Sequence, residues 1–190
     1  MDREKVREIL RKIEGLEEEL SAELAREKES IRCDFRHERI ALWPYIRRAK
    51  PSYILTAPVI YGMIVPAVIL DLCVTIYQAV CFPVYRIPKV RRADYIAIDR
   101  HRLSYLNILQ KLNCVYCGYF NGLINYVREI ASRTEQFWCP IRHARHLRDV
   151  PTRYWHFLPY GDGEKLHERW KKLREELRTE EEKSEENAKR

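Results

Sequence analysis

The chain has 190 residues, enough for one domain with a core plus extensions. Lys and Arg outnumber Asp and Glu by 35 to 28, a formal net charge of +7, and the six cysteines are scattered, which argues against the disulfide framework of a small secreted domain. The averages hide segregation: residues 1–30 hold ten acids and seven bases, residues 51–85 a single charge (Asp71), and residues 86–153 thirteen bases against five acids.

The first segment, MDREKVREIL onward, is charged and lacks the apolar run of a secretory signal. Val6, Leu10, Ile13, Leu16, Leu20, Leu24 and Ile31 recur mostly at three- and four-residue spacing, which predicts a long amphipathic helix within residues 1–50. Such a helix serves either as a surface helix of its own domain or as a surface for a partner or a second copy.

Residues 51–85 read PSYILTAPVIYGMIVPAVILDLCVTIYQAVCFPVY. The first twenty carry no charge, the usual length for crossing a bilayer. As one straight helix the run would reach about 50 Å against a hydrocarbon core of roughly 30 Å, and Pro58, Gly62 and Pro66 offer places to bend. Arg47, Arg48 and Lys50 precede it, and Arg86, Lys89, Arg91 and Arg92 follow. Basic flanks prefer the cytoplasmic side, so the expectation is a helical hairpin that enters and leaves on one face. A single span and a buried core hairpin are the alternatives. Asp71 would then lie near the deepest point, where an ionisable group invites a functional reading, or would sit protonated or at a polar turn.

Residues 86–160 carry the chemistry. Asp99 is expected to cap a helix through Leu103, Leu106, Leu109 and Leu112. The stretch NCVYCGYFNG, residues 113–122, is expected to interrupt it, with Asn121-Gly122 as a turn. A second helix then runs to about Phe137, and Pro140 opens a short helix holding His143 and His146. Cys114 and Cys117 form C-x2-C; Cys139 and His143 form C-x3-H. Three sulfurs and one nitrogen suit a tetrahedral zinc or iron ion, provided the chain folds back to bring the pairs together. His146 or His101 are alternates for His143. A redox dithiol at Cys114 and Cys117 and plain buried cysteines compete with the metal site. Cytoplasmic flanks would keep these thiols reduced.

CVYCGY resembles one knuckle of the rubredoxins and zinc ribbons, over six residues. The longer run, NCVYCG followed by an aromatic-NGL helix and WCPIRHARH, is similar to a family of small bacterial membrane proteins over roughly residues 50–160. That likeness implies a bacterial membrane protein and brings no activity with it.

Other signals are local. Glu129 and Arg133 form an i,i+4 pair, expected on a solvated helix face. No Glu-x-x-His pair of a di-iron site, phosphate-binding glycine loop, nucleophile elbow or H-E-x-x-H occurs. The basic, aromatic stretch 86–155 suits anionic lipid headgroups beside the apolar run better than nucleic acid. After the linker VPTRYWHFLPYGDGEKL, Asp162 is expected to cap a helix with Leu166, Trp170, Leu173 and Leu177 on one stripe. Beyond Thr179 the charged tail is expected to be disordered.

The expectation is a mostly α protein: a membrane-associated helical hairpin at 51–85, a small helical Cys/His metal-binding domain at 86–160, and amphipathic helices at both ends. The function it suggests is an adaptor or assembly factor on the cytoplasmic face of the inner membrane. It would hold zinc or iron and meet a membrane-protein partner or a second copy through its terminal helices. An iron-based electron carrier and a membrane thiol-disulfide oxidoreductase are the alternatives, and whether the chain is an enzyme is left open.

Overall fold

A computed structural model of the chain describes residues 3–30 and 39–188. They are mostly helical and contain no strand, only an isolated bridge between Ile141 and Leu158. Helix α1 (Arg3–Ser30) has the expected amphipathic character. Ile9, Ile13, Leu16, Leu20 and Leu24 on it are exposed, while Ile31 lies outside the described residues. Helix α2 (Leu42–Arg47) is a short turn.

Helices α3 (Pro51–Gly62) and α4 (Ile64–Tyr85) form one continuous rod of 35 residues. The expected hairpin is therefore corrected to a single kinked helix. The reason is local. Pro51 starts the rod at a position where its missing N–H costs nothing. Pro66 withdraws the donor that would bond the Gly62 carbonyl, and the chain answers with one tighter turn at Met63, whose N–H reaches the Ile60 carbonyl at 3.2 Å. The dihedrals there, φ −64° and ψ −12°, stay helical, so the axis bends without reversing. Between Val68 and Phe82 there is no glycine or proline, and Pro83 falls only in the last turn. The helix stops only at Arg86, which adopts a left-handed conformation (φ 55°), with the Ile87 N–H closing onto the Phe82 carbonyl at 2.9 Å.

Helix α5 (Ile108–Trp138) is uninterrupted through all of NCVYCGYFNG, 31 residues in total. The expected break and the Asn121-Gly122 turn do not occur. Asn121 donates its side-chain amide to the Cys117 carbonyl within the helix (2.9 Å). Gly118 and Gly122, one turn apart, serve close packing. A Cβ on Gly122 would meet the Tyr95 carbonyl oxygen at 2.6 Å and Ile96 Cα at 2.9 Å, and one on Gly118 the Ala97 oxygen at 3.1 Å. Each glycine costs the helix about 1 kcal/mol relative to alanine, offset by the segment it admits. The cap also differs from expectation. Asn107, not Asp99, accepts from the Gln110 N–H at 3.0 Å, and Gln110 answers to the Asn107 N–H at 2.9 Å, a capping box.

Pairs between the α3–α4 rod and α5 rise together in number: Tyr61 bonds Asn113, Asp71 bonds Tyr119, Gln78 bonds Tyr126, and Tyr85 packs on Phe137. The two helices are therefore parallel, and residues 87–107 must run back along them. This return segment is irregular, with 3₁₀ turns at Arg92–Asp94 and Arg100–Arg102. Phe82, Ile87, Val90, Leu123, Tyr126 and Ile130 fill the core between the three pieces.

Helix α6 (Leu166–Ala188) closes the far end and continues past Thr179, where disorder was expected. Leu177 is fully buried and Leu173 nearly so, as the stripe predicts. The Trp170 indole and the Arg174 guanidinium both donate to the Phe137 carbonyl, at 2.9 and 2.8 Å, and so satisfy an end carbonyl of α5. The Asp162 side chain accepts weakly from the Glu164 N–H (3.4 Å) and pairs with Arg169 at 2.9 Å.

Candidate functional site

The outer face of α3–α4 is bare. Leu55, Val59, Val68, Leu72, Ile76, Val80 and Val84 are all exposed, Leu55 to 80%, and only 11% of the most apolar window of the rod is buried. A core helix of a soluble protein with this composition would be covered by its neighbours. This is a helix long and apolar enough to cross a membrane, with about half its circumference free of the protein's own packing.

The inner face holds the only acid of the segment. Asp71 is 8% exposed; its two oxygens accept from Arg92 at 2.5 Å and from the Tyr119 hydroxyl at 2.8 Å. The hydrogen bond to Asp71 raises the Arg92 pKa, and burial raises that of Tyr119, so the guanidinium stays charged and the phenol neutral at neutral pH. Gln78, seven residues on and on the same face, accepts from the Val90 N–H (2.6 Å) and donates to the Val90 carbonyl (3.3 Å) and the Tyr126 hydroxyl (3.0 Å). Asp71 and Gln78 are thus two clips that pin the return segment between α4 and α5. Asp71 is a joint, not a lone group at the turn of a hairpin. Its spacing from Gln78, i to i+7 in an otherwise apolar run, is a signal that sequence reasoning missed.

The structure does not bring the expected metal ligands together. Cys114 is half-buried and Cys117 exposed, on one side of α5. Cys139 lies just past the end of the same helix, exposed, its N–H bonded to the Glu135 carbonyl at 2.8 Å. From Cys114 to Cys139 is 25 residues, about 37 Å of helix by its rise, so no single ion touches both pairs within one chain. The continuous helix also leaves no knuckle loop around Cys114 and Cys117. After Pro140 the chain is irregular rather than helical, so Cys139 and His143 do not share a helix face. His143 instead meets Tyr154, whose hydroxyl lies 2.6 Å from its backbone N and 3.0 Å from Nδ1. His101 sits in the return segment with a buried, unpartnered Nδ1, and His146 is exposed. Among the described residues no group of three or more His, Cys, Asp or Glu side chains is placed to hold a metal.

Two polar features lie at the C-terminal end of α5. Glu129 Oε1 accepts from Arg133 (2.8 Å) and Arg153 (2.6 Å), and Arg153 continues to Gln136 at 2.7 Å. With side chains 13–17% exposed, this is a half-buried network rather than the expected solvated pair; it ties the 3₁₀ turn Thr152–His156 to α5. Beside it opens a cleft of about 300 Å³, walled by Arg142, His143, Arg145, His146, Trp155 and Tyr160 among others. Its base is fixed by hydrogen bonds from the Leu158 N–H to the Pro140 carbonyl (2.7 Å) and from the Arg142 N–H to the Leu158 carbonyl (2.8 Å). Nearby, burial raises the Glu135 pKa, and His143 lowers it in part.

No family model, curated protein or solved structure matches the chain.

Proposed function

We propose that the protein is a membrane-associated adaptor, seated on the bilayer by the outer face of α3–α4, with the rod lying along the surface. The observation that carries this is the exposed outer face of a 35-residue apolar helix, of whose most apolar window only 11% is buried. Seating along the surface follows from the return segment. Arg92 is level with Asp71 at mid-rod. Arg100 reaches to 3.5 Å from where a Gly118 Cβ would stand, one residue from Tyr119, the partner of Asp71. A rod crossing the bilayer in this arrangement would carry these arginines into hydrocarbon, at about 2.5–3.5 kcal/mol each on insertion scales. Lying in the interface buries the apolar half and leaves the charged side in water. The basic flanks Arg47, Arg48, Lys50, Arg86 and Lys89 suit an anionic, cytoplasmic leaflet. The exposed stripe of α1 supplies a surface for a second partner, as an adaptor requires. A zinc or iron site from Cys114, Cys117, Cys139 and His143 is not carried into this reading, because its halves stand at opposite ends of α5.

Flotation with phosphatidylcholine–phosphatidylglycerol vesicles tests it. The wild type should float, and Leu72→Lys with Ile76→Lys should not, while both keep the same helical circular dichroism. A wild type that stays with the soluble fraction as a stable dimer would instead assign the apolar face to a second copy and overturn the membrane seat.

A further inference from the structure

The cleft beside the end of α5 has the makings of an anion site. Four of its wall residues, Arg142, His143, Arg145 and His146, are cations or can become so, and no Asp or Glu lines it. Among the described residues neither Arg142 nor Arg145 forms a salt bridge, although those nearby do: Arg128 pairs with Asp149 at 3.1 Å, and Arg133 and Arg153 with Glu129. Asp149 and Glu129 are engaged by the scaffold arginines Arg128, Arg133 and Arg153; Glu135 lies close enough to act on His143 but does not line the cleft. Guanidinium groups without an acid partner on the wall of one cleft raise the local potential for an anion, and their planar fork matches phosphate oxygens.

The walls are held in place. Tyr154 is 6% exposed, stacks on the His143 ring with centroids 5.9 Å apart, and fixes the His143 backbone through its hydroxyl. Trp155 meets Tyr154 edge-on at 5.9 Å, and Tyr160 is 69% exposed at the rim. Aromatic walls with a few placed polar groups, in a space at the low end of small-molecule pockets, are the usual form of a ligand site. The cleft is also near the basic end of the rod, since Tyr85 packs on Trp138 at 5.1 Å.

We infer that this cleft binds a phosphate monoester, held by Arg142 and Arg145 with the ester group against Trp155 and Tyr160. A soluble mononucleotide and a lipid headgroup such as that of phosphatidic acid both carry that chemistry. The inference does not depend on the membrane seat.

The test uses the full chain and two arms. Calorimetry with AMP and with inorganic phosphate reads the free ligand. Vesicles of phosphatidylcholine with either phosphatidic acid or phosphatidylglycerol at equal charge read the lipid, so that a preference for phosphatidic acid reports the monoester rather than the apolar rod. Binding in either arm, reduced at least tenfold by Arg142→Gln with Arg145→Gln, supports the site and names its source. Should that pair disturb the fold, Arg145→Gln with His146→Gln, both at exposed positions, gives the same reading and should weaken binding at least threefold with an unchanged melting curve. Failure of AMP, phosphate and phosphatidic acid alike, or undiminished binding by the folded variants, overturns the inference.

Discussion

Helices α4 and α5 lie side by side and parallel, yet they are built on opposite plans. Helix α4 is apolar around almost its whole circumference and is covered on one side only. Helix α5 mixes apolar and charged residues and is covered by α4, the return segment and α6 in turn. Its buried positions, Leu123, Tyr126, Ile130 and Phe137, follow one stripe, as an amphipathic core helix requires. The excess apolarity of α4 has no such use inside the chain. The contrast teaches that hydrophobicity in this protein is used internally on α5 but leaves a bare face on α4, which the proposed membrane seat would cover.

That contrast can be broken by substitution. The largest effect is expected on the outer face: Leu72→Lys with Ile76→Lys should weaken vesicle partitioning on the order of a thousandfold and leave stability within about 0.5 kcal/mol. The inner residues should behave conversely. Leu123→Ala or Leu177→Ala, each at a position at most 1% exposed, should cost about 2–5 kcal/mol in chemical denaturation while the surviving folded protein still binds vesicles. If the outer pair unfolds the protein, α4 belongs to a core and the contrast fails.

Smaller effects sharpen the role of the return segment. Asp71→Ala removes the acceptor for Arg92 and Tyr119 and should destabilise by about 1–3 kcal/mol, whereas an Asp71 that served only as a bilayer-facing group would change stability little. Gly122→Ala should cost about 1–3 kcal/mol through overpacking against Tyr95 and Ile96, and Gly118→Ala less, since its added Cβ stands 3.1 rather than 2.6 Å from the nearest atom.

The smallest effect is electrostatic. Burial raises the Glu135 pKa in the fold, so its carboxyl favours folding only at low pH, where it is protonated. That contribution is lost as pH rises through the folded pKa. Glu135→Gln should therefore raise the melting temperature slightly at pH 7, and the gain should disappear as pH falls toward the ordinary glutamate range. A gain that is constant with pH would place the cause elsewhere.

Much of the fold was legible in sequence, and the part that was not has a common physical cause. The uncharged run marked out residues 51–85 as helical and apolar, and periodicity located the stripes of α1 and α6 and the end of α5 near Phe137, because burial on one face leaves a local record. The CxxCG and NG patterns were misleading. A glycine permits a turn but equally permits close approach inside a helix, and only the distant residues Tyr95–Ala97 decide between them. The hairpin expectation failed likewise: it rested on two basic flanks, and the 35-residue helix between them runs on without turning back; the proposed seat along the surface would place both flanks on one side. The candidate metal ligands were chosen by type and spacing, but whether they meet depended on the continuity of α5, which sequence did not show. The cleft at Arg142 and Arg145 was visible only as a basic, aromatic stretch, since it depends on which arginines the acids leave unpaired.

The seat on the membrane is tested most directly by depth. A fluorescent unnatural residue placed singly at Leu55, Val65, Leu72, Val80 and Val84 in the full chain, on vesicles with lipids brominated at defined acyl positions, reports how far each position enters. A rod in the interface predicts similar, shallow depths of roughly 5–10 Å at all five positions. A depth that passes through a maximum near the middle of the rod, or fluorescence that no brominated lipid quenches, would contradict it.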